Sequence, residues 1–547
     1  MARIRDMKFL QSRNLLQSCE FAAAGLFTVV VVLLNIRFCW STGPLWRDEV
    51  CSFHVATMPT LKESWHLLAF ENQPVVHYLV LRAWCALGFG ATDFGLRVLG
   101  LVISTFLISA LWFSCWLINK STPLWPLAMF ALNQHTLRAD SLRPHGLALV
   151  WIVLVFAFTW QLTFQPQPKK RTIFLAMIAA VLSVQTVFLN ALLLGAICAA
   201  SVVVSATRKA WRNVVWIFGI GLAAALSLLP YLPTIQLAQQ WNGIRAKPNT
   251  FGSIASFFVY VFTMDEPVAG IVFLLLILGL SALAIVPALR RRVASSVPRT
   301  GDHFLFAAIV CLAGAIGTGG FLWVLKFPLQ DRYYLPLMAV IALSLTVMTA
   351  ALRTWTAVRL VNLLGSVILA AAFLRDSSAC AKMRLTNCDL AAAAVAQRAE
   401  TDDVIILSRF AFGITFQRYY RGSARWRGIP DISDYSLFRW DLVKQAMMDT
   451  DPMHELLVRI ELALRLGHNV FVVGQFGPIP VAQPKPIPPA PLTTFGWDMD
   501  AYIARWSEQV NYLIDQHARN GQSIPLPAND RVDPNEKINI YVFSGWR

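Results

Sequence analysis

Charged residues are scarce in this chain. Only 14% of its 547 residues are Asp, Glu, Lys or Arg, whereas 56% are hydrophobic. Soluble globular domains carry about 25% charged residues, so the composition excludes an ordinary soluble protein. Apolar runs recur over the first two thirds of the sequence and predict a polytopic α-helical membrane protein of about eleven spans. We place them near 20–40, 95–118, 122–136, 144–164, 172–188, 189–206, 213–233, 268–289, 303–325, 333–351 and 357–374.

Several recognisable signals are also missing. No Cys-x-x-Cys pair or Cys/His spacing indicates a structural zinc site, and no repeat of fixed period divides the chain. No short apolar core with a small-residue cleavage site follows the basic start, so we expect the first span to remain as an anchor. In an oxidising compartment, Cys51 could pair with Cys85, or Cys380 with Cys388, and the sequence leaves this pairing open.

The net charge of +16 is explained by membrane topology. Basic clusters such as Lys169-Lys170-Arg171 and Arg290-Arg291-Arg292 fall in alternate loops between the predicted spans, as the positive-inside rule requires. No long basic stripe interleaved with aromatic residues remains, which argues against a nucleic-acid partner. The basic segment 1–13 predicts a cytoplasmic N-terminus, and an odd number of spans then places the C-terminal segment on the opposite face.

The composition changes near residue 376, which predicts two domains. Residues 1–375 would form the membrane domain, with a large first external loop at 41–94 whose aromatic residues suit short interfacial helices. Residues 376–547 would form an extramembrane α/β domain, because helical and strand patterns alternate there. We expect helices at 390–400, 452–466 and 500–517, and strands at 404–407, 470–473 and 538–543.

The acidic pair Asp48-Glu49 follows the first span directly. Carboxylates at a water–lipid boundary are well placed to take a proton from an acceptor or to grip a metal ion. A solvated pair of loop acids is the bland alternative. The position of the pair on the predicted external face makes it the first candidate for a catalytic site.

Three further polar segments fall on the same predicted face as Asp48: residues 71–78, 138–146 and 326–336. They contain His77, Asp140 and Tyr333 as candidate substrate-binding residues. Their basic side chains could hold the phosphate of a lipid while its tail lies between helices; these are Arg138, Arg143, Lys326 and Arg332. Each one alone is more typical of a snorkelling interfacial residue. Their convergence on one face is what favours a phospholipid-type substrate.

Other polar residues have simpler interpretations. His77 and His145 are each typical of a structural or interfacial hydrogen-bonding residue, and Asp331 is expected to pair with Arg332. The second acidic pair, Asp265-Glu266, has no basic neighbours and is interpreted as a solvated turn.

The order of these motifs resembles the GT-C superfamily of membrane glycosyltransferases. Within it, the chain resembles the branch that holds the protein O-mannosyltransferases, the aminoarabinose transferase of lipid A and the Rgt-type bacterial enzymes. The resemblance is carried by Asp48-Glu49, by the stretch 72–78 with Trp84, Phe89-Gly90 and Arg97-Val98 after it, by 141–147 and by 332–336. Asn72 and Gln73 stand where the family has His and Pro, and Ser141 stands where it has Glu.

This resemblance implies an inverting transfer of a sugar from a polyprenyl-phosphate donor. Asp48 would be the general base, and Glu49 would orient the acceptor or Asp48. Arg138, Arg143 and Arg332 would stabilise the departing phosphate, and Tyr333 would hydrogen-bond to it. It also implies an acceptor glycan, lipid or protein, and an integral protein of a bacterial inner membrane. No cofactor is certain, and a role for a divalent metal ion stays open.

Two other functions account for part of the pattern. A transporter or flippase for lipid-linked sugars would also need interfacial aromatic residues and cations near a lipid phosphate, but it should place polar or broken helices near the middle of the bilayer. A non-catalytic membrane scaffold would leave the one-sided polar segments unexplained. The distinguishing observation is whether Asp48, Arg138, Arg143 and Arg332 line one cavity.

Overall fold

The computed structural model describes residues 2–139, 142–247, 249–285, 300–326, 328–475, 482–491, 497–527 and 531–547. The described residues up to 380 are mainly helical. Their α-helices are Ala2–Ser41, Arg47–Thr57, Leu61–Glu71, Val76–Ala86, Asp93–Leu117, Gln134–Ala139, Pro144–Phe164, Lys170–Val184, Asn190–Thr207, Trp211–Ser227, Leu232–Asn242, Phe251–Thr263, Pro267–Ile285, Thr300–Val324, Leu335–Ala351 and Thr356–Cys380.

Within the described residues, 7 helices are long and apolar enough to cross a membrane, and 8 if one bent pair forms a single span. The bent pair joins Phe251–Thr263 to Pro267–Leu276 at an angle of 102°. These helices carry large apolar side chains on their outer surfaces, where lipid would cover them; examples are Leu33, Trp40, Phe106, Trp116 and Phe218. The prediction of a polytopic helical membrane protein is confirmed.

Three of the eleven predicted spans are shorter than a bilayer crossing. The segment predicted at 122–136 forms a π-helical turn, Pro126–Ala131, and then the short helix Gln134–Ala139. The helices Lys170–Val184 and Leu335–Ala351 have 15 and 17 residues. Most side chains of Leu335–Ala351 are buried inside the protein, so its apolar composition reflects internal packing. The end of the span predicted at 268–289 lies outside the described residues.

The C-terminal part is a five-stranded mixed sheet with helices packed on it, as predicted. Its strands are β1 (Val404–Leu407), β2 (Arg425–Gly428), β3 (Val470–Gly474), β4 (Ala518–Ile524) and β5 (Asn539–Trp546), in the order β2-β1-β3-β5-β4. β1 pairs in parallel with β2 and β3, whereas β5 runs antiparallel to β3 and β4. The helices are Cys388–Ala396, Phe410–Tyr419, Trp440–Met448, His454–Arg465 and Met499–His517.

Buried side chains join this sheet unit to the membrane part. The guanidinium of Arg439 in the sheet unit lies 5.2 Å from the ring centre of Phe70, and the guanidinium of Arg245 in the membrane part lies 4.5 Å from the ring centre of Trp440 in the sheet unit. Asp93, at the start of a membrane helix, accepts hydrogen bonds of 2.6 Å from Arg418 and from the hydroxyl of Tyr419. The sheet unit therefore packs directly on the end of the helix bundle that carries the first loop. The nine cysteines are all free thiols in this arrangement.

The carboxyl ends of β1 and β3 meet at Gly474. Its φ of +151° is rarely adopted by residues with a side chain, and an added Cβ would lie 1.8 Å from the Ser408 hydroxyl oxygen. A side chain at this position would therefore need both strained backbone and movement of Ser408.

We expect Gly474→Ala to lower the free energy of unfolding by about 2 kcal/mol or more. The control is Gly467→Ala, where φ is +83° but no atom lies within 4 Å of the added Cβ. The free energy of unfolding of that variant should fall by only about 1 kcal/mol, the cost of placing alanine at a positive φ. Thermal unfolding of the purified proteins in detergent compares them, and equal losses would contradict the close approach of the two strand ends.

Candidate functional site

The first membrane helix ends at Ser41, and a turn at Gly43 follows it. The helix Arg47–Thr57 begins four residues after Gly43 and carries both acids of the predicted pair. Asp48 and Glu49 occupy its first turn, where the positive end of the helix dipole stabilises negative charge. The Glu49 carboxylate also accepts a 3.1 Å hydrogen bond from the backbone nitrogen of Trp46, which fixes the start of the helix. The two neighbouring carboxylates then point to different surroundings.

Asp48 lies between two guanidinium groups. Its Oδ2 is 3.5 Å from Nη2 of Arg143 and 3.4 Å from Nη1 of Arg332. Among the described residues, the other oxygen, Oδ1, accepts no hydrogen bond. Burial opposes the charged form, but the nearby arginines, led by Arg143 and Arg332, outweigh it and hold the pKa of Asp48 below its ordinary value. Asp48 is therefore ionised at neutral pH.

Arg143 connects three segments of the predicted site. Its Nη1 donates to the backbone oxygen of Asp48 at 2.9 Å, to the hydroxyl of Ser52 at 3.2 Å and to Oε2 of Glu71 at 2.9 Å. The hydroxyl of Tyr78 donates to the same Glu71 oxygen at 3.1 Å. Because Arg143 is only 7% exposed, these partners are what make its buried charge tolerable. Glu71 and Tyr78, from the segment 71–78, thus hold the Arg143 side chain in place beside Asp48.

Glu49 forms a buried ion pair with Arg97 on the next membrane helix. The same carboxylate accepts a 3.1 Å hydrogen bond from the backbone nitrogen of Leu142, and Arg97 also donates to the backbone oxygen of Pro44 at 2.8 Å. Glu49 is fully buried. Its contacts are with the scaffold around Asp48, which favours the orienting role over direct contact with a substrate.

Four predicted residues line one cavity of about 550 Å³: Asp48, Arg138, Arg143 and Arg332. Two aromatic side chains, Phe257 and Tyr260, form part of its wall. The polar segments that the sequence placed on one face therefore converge on one space.

Other predicted residues lie elsewhere. Lys326 is exposed and is not among the residues that line this cavity. His77 is fully buried, with its pKa lowered to about 3 mainly by burial, and packs edge-to-face on Tyr78. Tyr333 lies beside the cavity, with its ring centre 5.7 Å from the Arg332 guanidinium carbon. Asp140 lies outside the described residues.

The sheet unit contributes cavity residues that the sequence did not single out. Arg47 Nε donates to Glu536 across 489 residues of sequence at 2.7 Å, and Arg138 pairs with Asp533. Arg409 and Gln475 also line the cavity. No local pattern marks these positions, because each lies in a loop after or before a strand. The only available signal was the predicted location of the C-terminal domain on the face of Asp48.

Asp331 is held by a different contact from the one predicted. Its Oδ2 is 2.8 Å from Nδ1 of His135, and its Oδ1 accepts from the backbone nitrogen of Arg332 at 2.8 Å. Burial opposes its charged form, but these contacts hold the pKa of Asp331 well below its ordinary range. Asp331 and His135 therefore fix the loop that presents the Arg332 guanidinium to Asp48.

Over the part of the chain that the structure describes, no group of three or more His, Cys, Asp or Glu side chains is placed to hold a metal ion. The acids of the cavity are instead each matched to an arginine or a histidine.

No protein-family model and no curated protein matches the chain. Solved structures similar to it include ArnT from Cupriavidus metallidurans bound to undecaprenyl phosphate, with 12% identity, a TM-score of 0.48 and coverage of 82% of this chain and 92% of that chain. The apo state of ArnT gives 12% identity, a TM-score of 0.48 and coverage of 83% and 93%. At this identity and TM-score the likeness assigns no residue and no substrate.

We expect Glu49→Gln to lower the free energy of unfolding by about 3 kcal/mol, because it leaves the buried Arg97 charge without its partner. The matched control is Glu461→Gln, which breaks the exposed ion pair with Arg465 and should cost less than about 1 kcal/mol. Thermal unfolding in detergent measures both. Equal effects would show that the Glu49–Arg97 pair does not hold the loop.

Glu536 predicts a pH dependence of stability. Burial raises its pKa to about 7, although the Arg47 charge acts in the opposite direction. The unfolded chain loses this proton near pH 4.5, so between pH 4.5 and 7 the native state binds more protons than the unfolded state. The free energy of unfolding should therefore fall as pH rises through this window, by at most about 1.4 kcal/mol per pH unit for one proton.

The variant Glu536→Gln removes this titration and should flatten the wild-type profile between pH 5 and pH 7. Unfolding midpoints of both proteins across that range provide the measurement. Parallel profiles would mean that Glu536 is ionised throughout the range.

Proposed function

We propose that this integral membrane protein is an inverting glycosyltransferase of the GT-C type. It would move a sugar from a polyprenyl-phosphate donor to an acceptor hydroxyl at the extracytoplasmic face of a bacterial inner membrane. The observation that carries the proposal is the ionised Asp48 carboxylate, which lies beside the Arg143 and Arg332 guanidinium groups in a cavity at the end of the membrane helices.

Asp48 is suited to act as the general base. Its Oδ2 is occupied by the two arginines, whereas Oδ1 has no hydrogen bond among the described residues. In the proposed step, Oδ1 takes the proton of the acceptor hydroxyl while the acceptor oxygen attacks the anomeric carbon. The bond from that carbon to the phosphate oxygen breaks, and its electron pair stays with the phosphate. A positioned base contributes about 100- to 10,000-fold to such a step.

Arg332 and Arg138 are the candidates to receive the departing phosphate. Their side chains are 23% and 30% exposed, so both reach the open part of the cavity. Arg143 is more deeply buried and is committed to Asp48 and Glu71, so its charge acts mainly by keeping Asp48 ionised. Cationic groups held in place beforehand stabilise the negative charge that develops on a leaving group. Phe257 and Tyr260 would supply aromatic faces against the sugar and the first part of the lipid.

The sheet unit is placed to recognise the acceptor. The chain leaves β1 towards β2 on one side and later returns to β3 on the other, so the ends of β1 and β3 form a topological switch point. Ligands of open α/β sheets bind in the crevice at such a point. Arg409 and Gln475 follow these two strands and line the same cavity as Asp48. The acceptor would then lie between the strand ends and the base.

The alternatives explain less of this geometry. The cavity lies at one end of the membrane helices and contains a base without a hydrogen bond on one oxygen, which supports a transferase over a transporter with a site in the middle of the bilayer. A scaffold would have no need for Asp48 to remain ionised among arginines at the cost of its desolvation. The membrane orientation follows from the basic loops and is part of the proposal.

The test is sugar transfer or release from a panel of radiolabelled polyprenyl-phosphate sugars by the purified wild type and by Asp48→Asn. The amide keeps the shape of the side chain and removes the base, so we expect turnover to fall at least about 100-fold. The control is Asp515→Asn, at an exposed acid on the helix Met499–His517. It should leave turnover unchanged.

The outcomes separate the candidate functions. Near-normal turnover by folded Asp48→Asn would overturn the assignment of the base. Tight binding of donor lipids by the wild type without turnover, in the presence of an acceptor extract, would favour a transporter instead.

A further inference from the structure

A second polar cavity lies among the helices at the end remote from Asp48. Its volume is about 400 Å³, and it is lined by the helices Ala2–Ser41, Leu335–Ala351 and Thr356–Cys380 and by the turn at 119–122. Neither the transfer step nor the motifs of the external face account for it. Polar side chains cluster here although the surrounding helices are apolar, and such groups in a membrane protein need a reason.

The two cavities lie at opposite ends of the same helix. Arg359 lines the second cavity, and Cys380 is at the other end of the helix Thr356–Cys380. The rise between them is about 32 Å, close to the thickness of the hydrocarbon core. The Cys380 thiol lies 4.0 Å from the backbone oxygen of Gln134, and the next residue, His135, lines the cavity of Asp48. The second cavity is therefore at the opposite membrane boundary.

Positive charge predominates in this cavity. Lys120, Arg353 and Arg359 line it together with a single acid, Glu20. Arg359 binds Glu20 through two hydrogen bonds, of 3.1 and 2.6 Å, and both residues are buried. Arg353 donates to the backbone oxygen of Asn119 at 2.9 Å, which orients its guanidinium at the rim. The buried pair joins two helices, and two further cations remain to act on a ligand.

The wall of the cavity also contains polar atoms without partners. Trp125 is 1% exposed, and its indole nitrogen has no hydrogen-bond acceptor among the described residues. The side-chain oxygen Oδ1 of Asn362 likewise has no donor among them. A buried donor without an acceptor costs about 1–3 kcal/mol. The adjoining residues Asn119 and Lys120 both have positive φ, of 54° and 52°. Strain of this kind persists where the surrounding structure imposes it, often at a binding site.

We propose that this cavity binds the phosphate group of a membrane lipid at the boundary opposite Asp48. Phosphate oxygens would accept from Lys120, Arg353 and the Trp125 indole, the donors that the cavity concentrates. The cavity opens beside Phe21, which is 46% exposed and could contact an acyl or isoprenoid chain. A phospholipid or a polyprenyl phosphate would supply the same group. This inference does not depend on the proposed function.

The test is lipid binding to the purified full-length protein by native mass spectrometry in detergent. The test variant is Lys120→Met with Arg353→Gln, which leaves the Glu20–Arg359 pair intact. Each cation near a lipid phosphate contributes about fivefold, so binding of phosphatidylglycerol should weaken about 30-fold. The control is Lys209→Met with Arg212→Gln, which removes the same charges from exposed positions that do not line the cavity. It should change binding by less than about threefold.

A second variant separates a phosphate contact from a general charge effect. Trp125→Phe removes the indole donor together with the outer ring atoms that face Gly365, so its thermal unfolding midpoint is measured beside that of the wild type. We expect about fivefold weaker binding of phosphatidylglycerol, from the loss of one hydrogen bond. The proposal would be overturned if Trp125→Phe bound phosphatidylglycerol as tightly as the wild type and the two charge variants lost the same amount of binding. Equal binding of diacylglycerol, which has no phosphate, would overturn it as well.

The source of the phosphate is decided in an Arg138→Gln and Arg332→Gln background, which removes the two proposed phosphate donors of the other cavity. Polyprenyl phosphate that still binds there, and is lost when Lys120 and Arg353 are also replaced, identifies the carrier lipid as the occupant. Loss of phosphatidylglycerol binding alone identifies a bulk phospholipid. Binding of both lipids that none of these replacements weakens would contradict a phosphate site at this boundary.

Discussion

The buried guanidinium of Arg143 is the constraint on which the external cavity depends. An arginine that is 7% exposed needs acceptors for its buried charge. Its Nε has no partner among the described residues, but the partners of its Nη atoms come from the start of one loop helix and the end of the next. Asp48 and Glu71 are thereby drawn to one point, at the entry to the helix Pro144–Phe164. The same contact determines the chemistry, because the Arg143 charge is the largest influence that favours the ionised form of Asp48 against its burial.

Adjacent residues in the sequence have opposite structural roles because a helix turns by about 100° per residue. Asp48 faces the cavity, and Glu49 faces Arg97 in the protein interior. The acid that looks redundant in the motif is thus the one that fixes the loop to the membrane bundle. A base whose Oδ1 accepts no hydrogen bond from the described residues needs such a support, since the arginines beside it would otherwise draw its side chain into a closed ion pair.

Much of the architecture was predictable from composition and order, because apolar runs and positive-inside loops have physical causes that act locally. The convergence of Asp48, Arg138, Arg143 and Arg332 was also predictable, because the basic loops and the order of the apolar runs predict one face for their segments. The contact of Arg47 with Glu536 was not, because 489 residues separate them and no local pattern links a loop acid to a distant arginine. The burial of the helix Leu335–Ala351 was also not predictable. Its sequence is typical of a membrane span, although most of its side chains are buried inside the protein.

The positive-inside rule also accounts for the charges around the second cavity without any binding site there. Lys120, Arg353 and Arg359 are sufficient to orient a chain in a membrane, so no pattern around them predicts a further role. Orientation requires only that such charges remain near the aqueous boundary, where each could extend separately into water. Here Arg359 is instead 9% exposed and bonded to Glu20, and the others surround a cavity that contains a buried indole donor. Topology alone does not explain a cavity that gathers two further cations, Lys120 and Arg353, beside this buried pair, and a ligand phosphate at this boundary would explain it.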